Sequence, residues 1–217
     1  MEFALSPRAA ELQARATSFL HEHVLPAEAA FHEQVAAMER DDTWGTPPVV
    51  AELKVLARER GLWNLFLPDA THGPGVSVLD YAPTAEVSGW SPWLMPEAMN
   101  CSAPDTGNME LLAMFATPEQ ATRWLEPLLD GEIRSCFSMT EPDVASSDAR
   151  NIAATIDRDG DDYVVTGRKW WSTGGMSPNC AVAIVMGVTD ADAHPYRQQS
   201  MVLVPLDTPG VTVERST

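Results

Sequence analysis

Apolar residues recur at spacings of three and four as far as Gly131, then give way to short apolar runs and alternation. The first pattern is that of amphipathic helices and the second that of strands. The chain therefore reads as α+β, with an N-terminal all-helical domain over 1–131 and a β-barrel-like middle domain over 132–217. Ser6 before Pro7 is a helix cap followed by proline at the first helical position. Ala10, Leu12, Ala16, Phe19 and Leu20 are expected on the buried face of that helix. Pro26 is expected to bend or restart it, with a second helix running to about Met38. Pro47-Pro48 opens another helix, with Val50, Leu53 and Leu56 inward and Gly61 as a left-handed cap. Residues 64–77 read as loop, and shorter helices follow near 79–88, 92–99 and 107–116. Thr117-Pro118-Glu119-Gln120 has the form of a capping box, opening a helix that buries Leu125, Leu128 and Leu129 and ends at Asp130-Gly131.

Beyond Gly131, the stretch Asn151 to Asp157, the turn Asp159-Gly160 and Tyr163 to Thr166 predict a hairpin. Arg168 to Trp171 is expected as a third strand, followed by Ala181–Val188 and Met201–Leu206. Val211-Thr212-Val213 is expected to begin one more. A sheet ending on an unpaired strand exposes an edge, so the β domain is expected to continue beyond this chain.

Composition narrows the function classes. Fourteen Lys+Arg face 31 Asp+Glu in 217 residues, a formal net charge of −17. Such a surface repels phosphate backbones and anionic membranes, which disfavours nucleic acid as a partner. The longest apolar run, Ala181–Val188, falls far short of the ~20 residues of a membrane span. Met1 to Pro7 carries no basic region followed by an apolar stretch, so no signal peptide is read there. Cys101, Cys136 and Cys180 show no paired spacing, which suits reduced thiols and a cytoplasmic location. No Gly-rich dinucleotide fingerprint, P-loop, Gly-x-Ser-x-Gly or His-Glu-x-x-His occurs. His21 and His23, two apart on a helix, do not share a face, and no other histidine has a ligand-spaced neighbour, so no metal site is expected.

Two segments carry candidate chemistry. The stretch from Cys136 to Asp148 is a short strand running into a turn rich in hydroxyls and backbone N–H groups. Such a loop can hold a pyrophosphate or the polar edge of a ring without a basic residue; it can equally be an ordinary capped turn between domains. In Gly167 to Gly175, Trp170 and Trp171 on a strand would point to opposite faces, one entering the core and the other free to cover a flat ligand. Thr173 adds a hydroxyl, and Gly174-Gly175 lets backbone approach closely. Core packing by Trp170 beside an exposed strand end is the competing reading.

Met139-Thr140-Glu141-Pro142, then Ser147-Asp148, then Gly167-Arg168-Lys169-Trp170-Trp171-Ser172-Thr173-Gly174 resemble the paired flavin signatures of the acyl-CoA dehydrogenases. The family order is Thr-Glu-Pro, a Gly/Ser-rich turn ending in Ser-Asp, a hairpin, then Gly-x-Lys-x-Trp-x-Thr. Gly107-Asn108, Thr117–Gln120 and Leu125–Gly131 resemble the helical lead into the family's β domain. The turn Asp143 to Asp148 departs from the usual Gly-x-Gly-Ser-Asp, being one residue longer and free of glycine. This form, with the double tryptophan, is similar to the subgroup of human family members ten and eleven, associated with long or branched acyl chains.

The resemblance implies a fold of N-terminal helical domain, middle β domain and C-terminal helical bundle, the last absent from this chain. It implies FAD as cofactor and an acyl-CoA substrate dehydrogenated at its α,β positions, by α-proton abstraction and β-hydride transfer to flavin N5. Phe137, Met139 and Thr140 would contact the isoalloxazine, Thr140 at its polar edge. Ser146 would approach the pyrophosphate, and Ser147 the flavin phosphates or the CoA arm of the substrate. Trp171 would lie beside the flavin, with Ser172 next to it and Thr173 presenting its hydroxyl near N5. The family's catalytic base comes from the C-terminal bundle, so none is assigned here; Glu141 is read as a structural capping or salt-bridge residue. Electron-transfer flavoprotein is the implied acceptor and a homo-oligomer built through that bundle the implied assembly. An oxygen-using flavoenzyme of the same fold and a non-catalytic partner subunit are the alternative functions.

Overall fold

The computed structural model describes residues 4–216. The reading of the extreme N-terminus falls partly on Met1–Phe3, outside the described residues. Two compact units follow one another along the chain, Met1–Glu132 and Ile133–Thr217.

The first unit is helical. Helix α1, Pro7–Phe19, starts where the Ala9 N–H donates to the Ser6 hydroxyl at 3.0 Å, which satisfies one of the orphan donors of a helix start. Its buried face is Ala9, Leu12, Ala16 and Phe19; Ala9 takes the place expected of Ala10, which is exposed. The helix does not break at Pro26. A π-helical turn, Leu20–Val24, carries it into α2, Leu25–Arg40, and the Leu25 N–H reaches back to the Leu20 carbonyl. A second π-helical turn, Ala121–Leu125, stands in the same relation to Pro127, with the Glu126 N–H on the Ala121 carbonyl. In both places the proline is the second residue after the wide turn. A proline cannot donate and its ring crowds the carbonyl four residues back, and a widened turn accommodates both defects without a break.

Helix α3, Pro48–Glu59, buries Val49, Val50, Leu53 and Ala57, while Leu56 is only half-buried. Gly61 follows at φ +62°, the left-handed region that any side chain would strain. The segment between α3 and α4, Val78–Ser88, is irregular as expected but not superficial: Leu62, Leu65, Phe66 and Leu67 are all buried. It is held by Asn64 and Asn100, both in the left-handed region. The Asn100 amide donates to Asn64 Oδ1 at 2.7 Å and to the Leu128 carbonyl at 3.0 Å, and Asn64 donates to the Leu129 carbonyl at 2.9 Å. Helices α5, Met95–Ala98, and α6, Asp105–Phe115, are shorter than expected or shifted by about a residue. Thr117 and Gln120 form the reciprocal capping box ahead of α7, Pro118–Gln120. In the segment ending in α8, Glu126–Leu129, the buried side chains are Trp124, Leu125 and Leu128. Leu129, expected on the buried face, is half-buried, and Trp124 is buried in addition. Among the described residues no helix is long and apolar enough to cross a membrane.

The second unit is a five-stranded mixed sheet of β1 (Arg134–Ser138), β2 (Thr155–Asp159), β3 (Asp162–Thr166), β4 (Cys180–Val188) and β5 (Gln199–Pro205). Strand β4 is central: β1 lies parallel to it, with Phe137 opposite Ile184, and β5 antiparallel, with Ile184 opposite Leu203. A strand covered on both faces is expected to read as a continuous apolar run; Cys180–Val188 does, and all of its residues are buried or half-buried. Strands β2 and β3 form the hairpin, joined by Gly160-Asp161 with Asp159 opposite Asp162. The hairpin begins later than expected: Asn151 ends a short 3₁₀ turn, Ala149–Asn151, and the Ala153 and Ala154 N–H groups are taken by the Glu141 carboxylate. The expected strands at Arg168–Trp171 and Val211–Val213 are absent. The first is interrupted by a left-handed residue, and the second has no pairing partner among the described residues.

Candidate functional site

The two signature segments lie side by side in the second unit. Residues 169–175 run antiparallel to 135–141 at the end of β1. The Trp170 N–H donates to the Thr140 carbonyl at 3.0 Å. Lys169 Nζ donates to the Met139 carbonyl at 3.0 Å and to Glu141 Oε1 at 2.7 Å. Further along, the Ser138 and Ser172 hydroxyls are 2.9 Å apart. Gly174 lies over the Ser135 carbonyl and Gly175 over the Cys136 sulfur.

Glu141 anchors the turn. It is buried, and its carboxylate accepts from the Ala153 N–H at 2.8 Å and the Ala154 N–H at 2.9 Å as well as from Lys169. Burial is the largest single influence on the carboxyl and raises its pKa. The ammonium and the two amides together outweigh burial and hold it below the ordinary carboxylate range. A carboxylate so engaged, held ionised by an ammonium and two amides, is a structural ion-pair partner and a poor base for a substrate proton. Its own backbone N–H donates to the Ser146 hydroxyl at 2.6 Å. Ser146, which the resemblance sets near the pyrophosphate, is buried with its oxygen accepting from that N–H. Ser147, the next residue, is exposed. Asp148 closes the turn in a two-pronged pair with Arg150, which holds its carboxyl at about 2.

Trp170 and Trp171 do not take opposite faces of a strand. Trp171 adopts φ +54°, which turns the chain, and the two rings end 5.8 Å apart. Neither enters the core: Trp170 is 40% and Trp171 60% exposed. Thr173 is exposed and Thr140 half-buried, and neither hydroxyl bonds to another described residue. Phe137 and Met139 are half-buried beside them, and Ser172 is half-buried with its hydroxyl on Ser138. The site thus offers exposed indole surface next to two uncommitted hydroxyls, a donor set suited to a flat ring with polar edges. Lys169 and Ser138 escaped the sequence reading. The available signal was that each falls within a signature segment, Lys169 at the lysine of the Gly-x-Lys-x-Trp-x-Thr pattern and Ser138 just ahead of Met139-Thr140-Glu141-Pro142. Among the described residues no three His, Cys, Asp or Glu side chains converge as metal ligands.

The family description of the acyl-CoA dehydrogenase N-terminal domain matches residues 6–132, and that of the middle domain matches 136–217. FadE2 of Mycobacterium tuberculosis, assigned as an acyl-CoA dehydrogenase, is 57% identical over 218 residues, covering 100% of this chain and 52% of its own length. Acyl-CoA dehydrogenase family member 11 of Homo sapiens is 47% identical over 98% of this chain and 27% of its own. A solved Mycobacterium abscessus protein of the same assignment superposes with a TM-score of 0.91 at 53% identity, over 98% of this chain and 54% of that one. The chain therefore spans about half the length of FadE2.

Proposed function

The chain belongs to the acyl-CoA dehydrogenase family through its N-terminal and middle domains, and from that premise we propose that the protein is an FAD-dependent acyl-CoA dehydrogenase, introducing an α,β double bond into an acyl-CoA thioester. A related fold, the glutaryl-CoA dehydrogenase of Mycobacterium smegmatis, has been solved with FADH2. The observation that carries the reading is the pairing of residues 138–141 with 169–172, which leaves the Thr140 and Thr173 hydroxyls uncommitted and the Trp171 ring exposed.

FAD, when bound, supplies the acceptor for the two electrons removed from the substrate. The roles of this chain's residues are to bind and to orient. Thr140 and Thr173 offer hydroxyls to the polar edge of the ring, and Trp171, with Phe137 and Met139, offers apolar surface that excludes water from it. Ser147, exposed on the turn, is the hydroxyl available to a phosphate or to the CoA arm. Ser146 supports that turn by accepting from the Glu141 N–H. Glu141 is committed to Lys169 and two amides, so the base that removes the α-proton is not sought among these groups. Electron-transfer flavoprotein is the proposed acceptor, approached by an acidic protein of net charge −17. A homo-oligomer and a reducing, cytoplasmic setting complete the reading; Cys101, Cys136 and Cys180, none of them in a disulfide, support the latter.

The test is a visible spectrum of the intact purified protein, followed by anaerobic titration with saturated acyl-CoA thioesters. The expected result is a flavin spectrum that bleaches on titration. A protein that takes up no FAD, or whose flavin is reoxidised by dioxygen at full rate with product bound, would overturn the assignment.

A further inference from the structure

Trp171 is a non-glycine residue in the left-handed region, at φ +54°. That conformation is strained for a side chain of this size and persists only where neighbouring contacts impose it. Here they do so on both sides. Before Trp171, the Trp170 N–H is fixed on the Thr140 carbonyl. After it, Ser172 is fixed by the 2.9 Å bond to Ser138. The Thr173 N–H closes back onto the Trp171 carbonyl at 3.0 Å, and the Gly175 N–H onto the Ser172 carbonyl at 3.0 Å. Of these restraints, only the hydroxyl pair connects the turn to β1 through side chains beyond Trp171.

Ser138 is the last residue of β1 and is 5% exposed. Its hydroxyl faces Ser172 on one side and the Cys136 sulfur, 3.8 Å away, on the other. A buried hydroxyl at the end of a rigid strand is a fixed point, whereas the turn it grips is irregular and partly exposed.

We propose that Ser138 is a positioning residue: through its bond to Ser172 it holds the strained Trp171 turn, and so pre-sets the Trp171 ring and the Thr173 hydroxyl for the flavin. The inference rests on the flavin reading above and adds to it a residue that never touches the ring. Pre-setting matters because a turn free to relax must be reordered at each binding event, which weakens affinity without removing any contact.

The experiment compares wild type, Ser138→Ala, Ser172→Ala and the double variant in the intact protein. Three quantities are read: FAD affinity of the apoprotein, the flavin absorption bands, and the exciton-coupled circular dichroism of the Trp170–Trp171 pair without FAD. Each single variant is expected to weaken FAD binding roughly fivefold, to shift the long-wavelength flavin band and to reduce the indole couplet. The double variant is expected to match the singles, because both remove the same bond. The Ser172→Ala variant guards against a folding defect at the buried Ser138. Additive effects, or a couplet and affinity unchanged in both singles, would overturn the proposal. If wild type itself binds no FAD, the flavin reading fails; the indole couplet, which needs no cofactor, still decides whether Ser138 holds the turn.

Discussion

Replacing Lys169 by methionine tests the ion pair that joins the two segments. The side chains of Lys169 and Glu141 are 12% and 6% exposed, and their charged atoms are 2.7 Å apart. Methionine keeps most of the stem and removes the charge, leaving Glu141 with the Ala153 and Ala154 amides as its remaining donors. Removing one member of a buried pair costs about 3–5 kcal/mol, and the two surviving amides put this case near 3 kcal/mol. The pH dependence is sharper evidence than the magnitude. The Glu141 carboxyl is lowered in the folded protein, so it adds stability above its unfolded pKa, and that contribution is lost as pH falls through the folded value. Without Lys169, burial is opposed only by the amides and the carboxyl moves up. The penalty of the substitution therefore shrinks as pH falls from neutrality to about pH 4. Equilibrium urea unfolding of both proteins across that range measures it. Adding Glu141→Gln is expected to recover part of the loss, because the amide carries no buried charge and keeps an acceptor for one N–H. A penalty under about 1 kcal/mol at neutral pH, or one that does not change on acidification, would refute the reasoning.

Other outcomes follow from single contacts. Thr173→Ala in the flavin-loaded protein is expected to slow reduction by an acyl-CoA about 10-fold or more while leaving the melting temperature unchanged, as read by stopped-flow absorbance. Gly167→Ala brings a Cβ to 2.5 Å from the Ala154 Cβ and 3.0 Å from its Cα, so it should cost about 1–3 kcal/mol in urea unfolding; a smaller loss would mean that the two segments separate easily. Thr117→Ala removes half of the reciprocal cap and should cost about 1 kcal/mol in the same measurement. Asp148, held at about 2 by Arg150, should show no titration in carboxyl-carbon NMR down to about pH 3; its lowered value means that whatever it contributes is kept at neutral pH and lost only below that. In Arg150→Ala its titration should return to the ordinary range.

Local chemistry was legible in the sequence. Ser6-Pro7 and Thr117–Gln120 fix helix starts because cap and partner lie within one turn of each other. Asp159-Gly160 marks the hairpin for the same reason, and the apolar run Ala181–Val188 reads as a strand because both its faces are covered. The order of the two signature segments was also in the sequence, and with it the family. Tertiary structure decided what depends on distant partners. A widened turn upstream let Pro26 and Pro127 pass without breaking a helix, and spacing alone does not distinguish that from a kink. Ser146 faced inward because the Glu141 N–H needed an acceptor, and Trp170 and Trp171 left the strand pattern because contacts to β1 imposed a left-handed conformation on Trp171. Periodicity reports which side chains prefer burial; it cannot report which buried polar group answers another thirty residues away, and in this protein those answers shape the site.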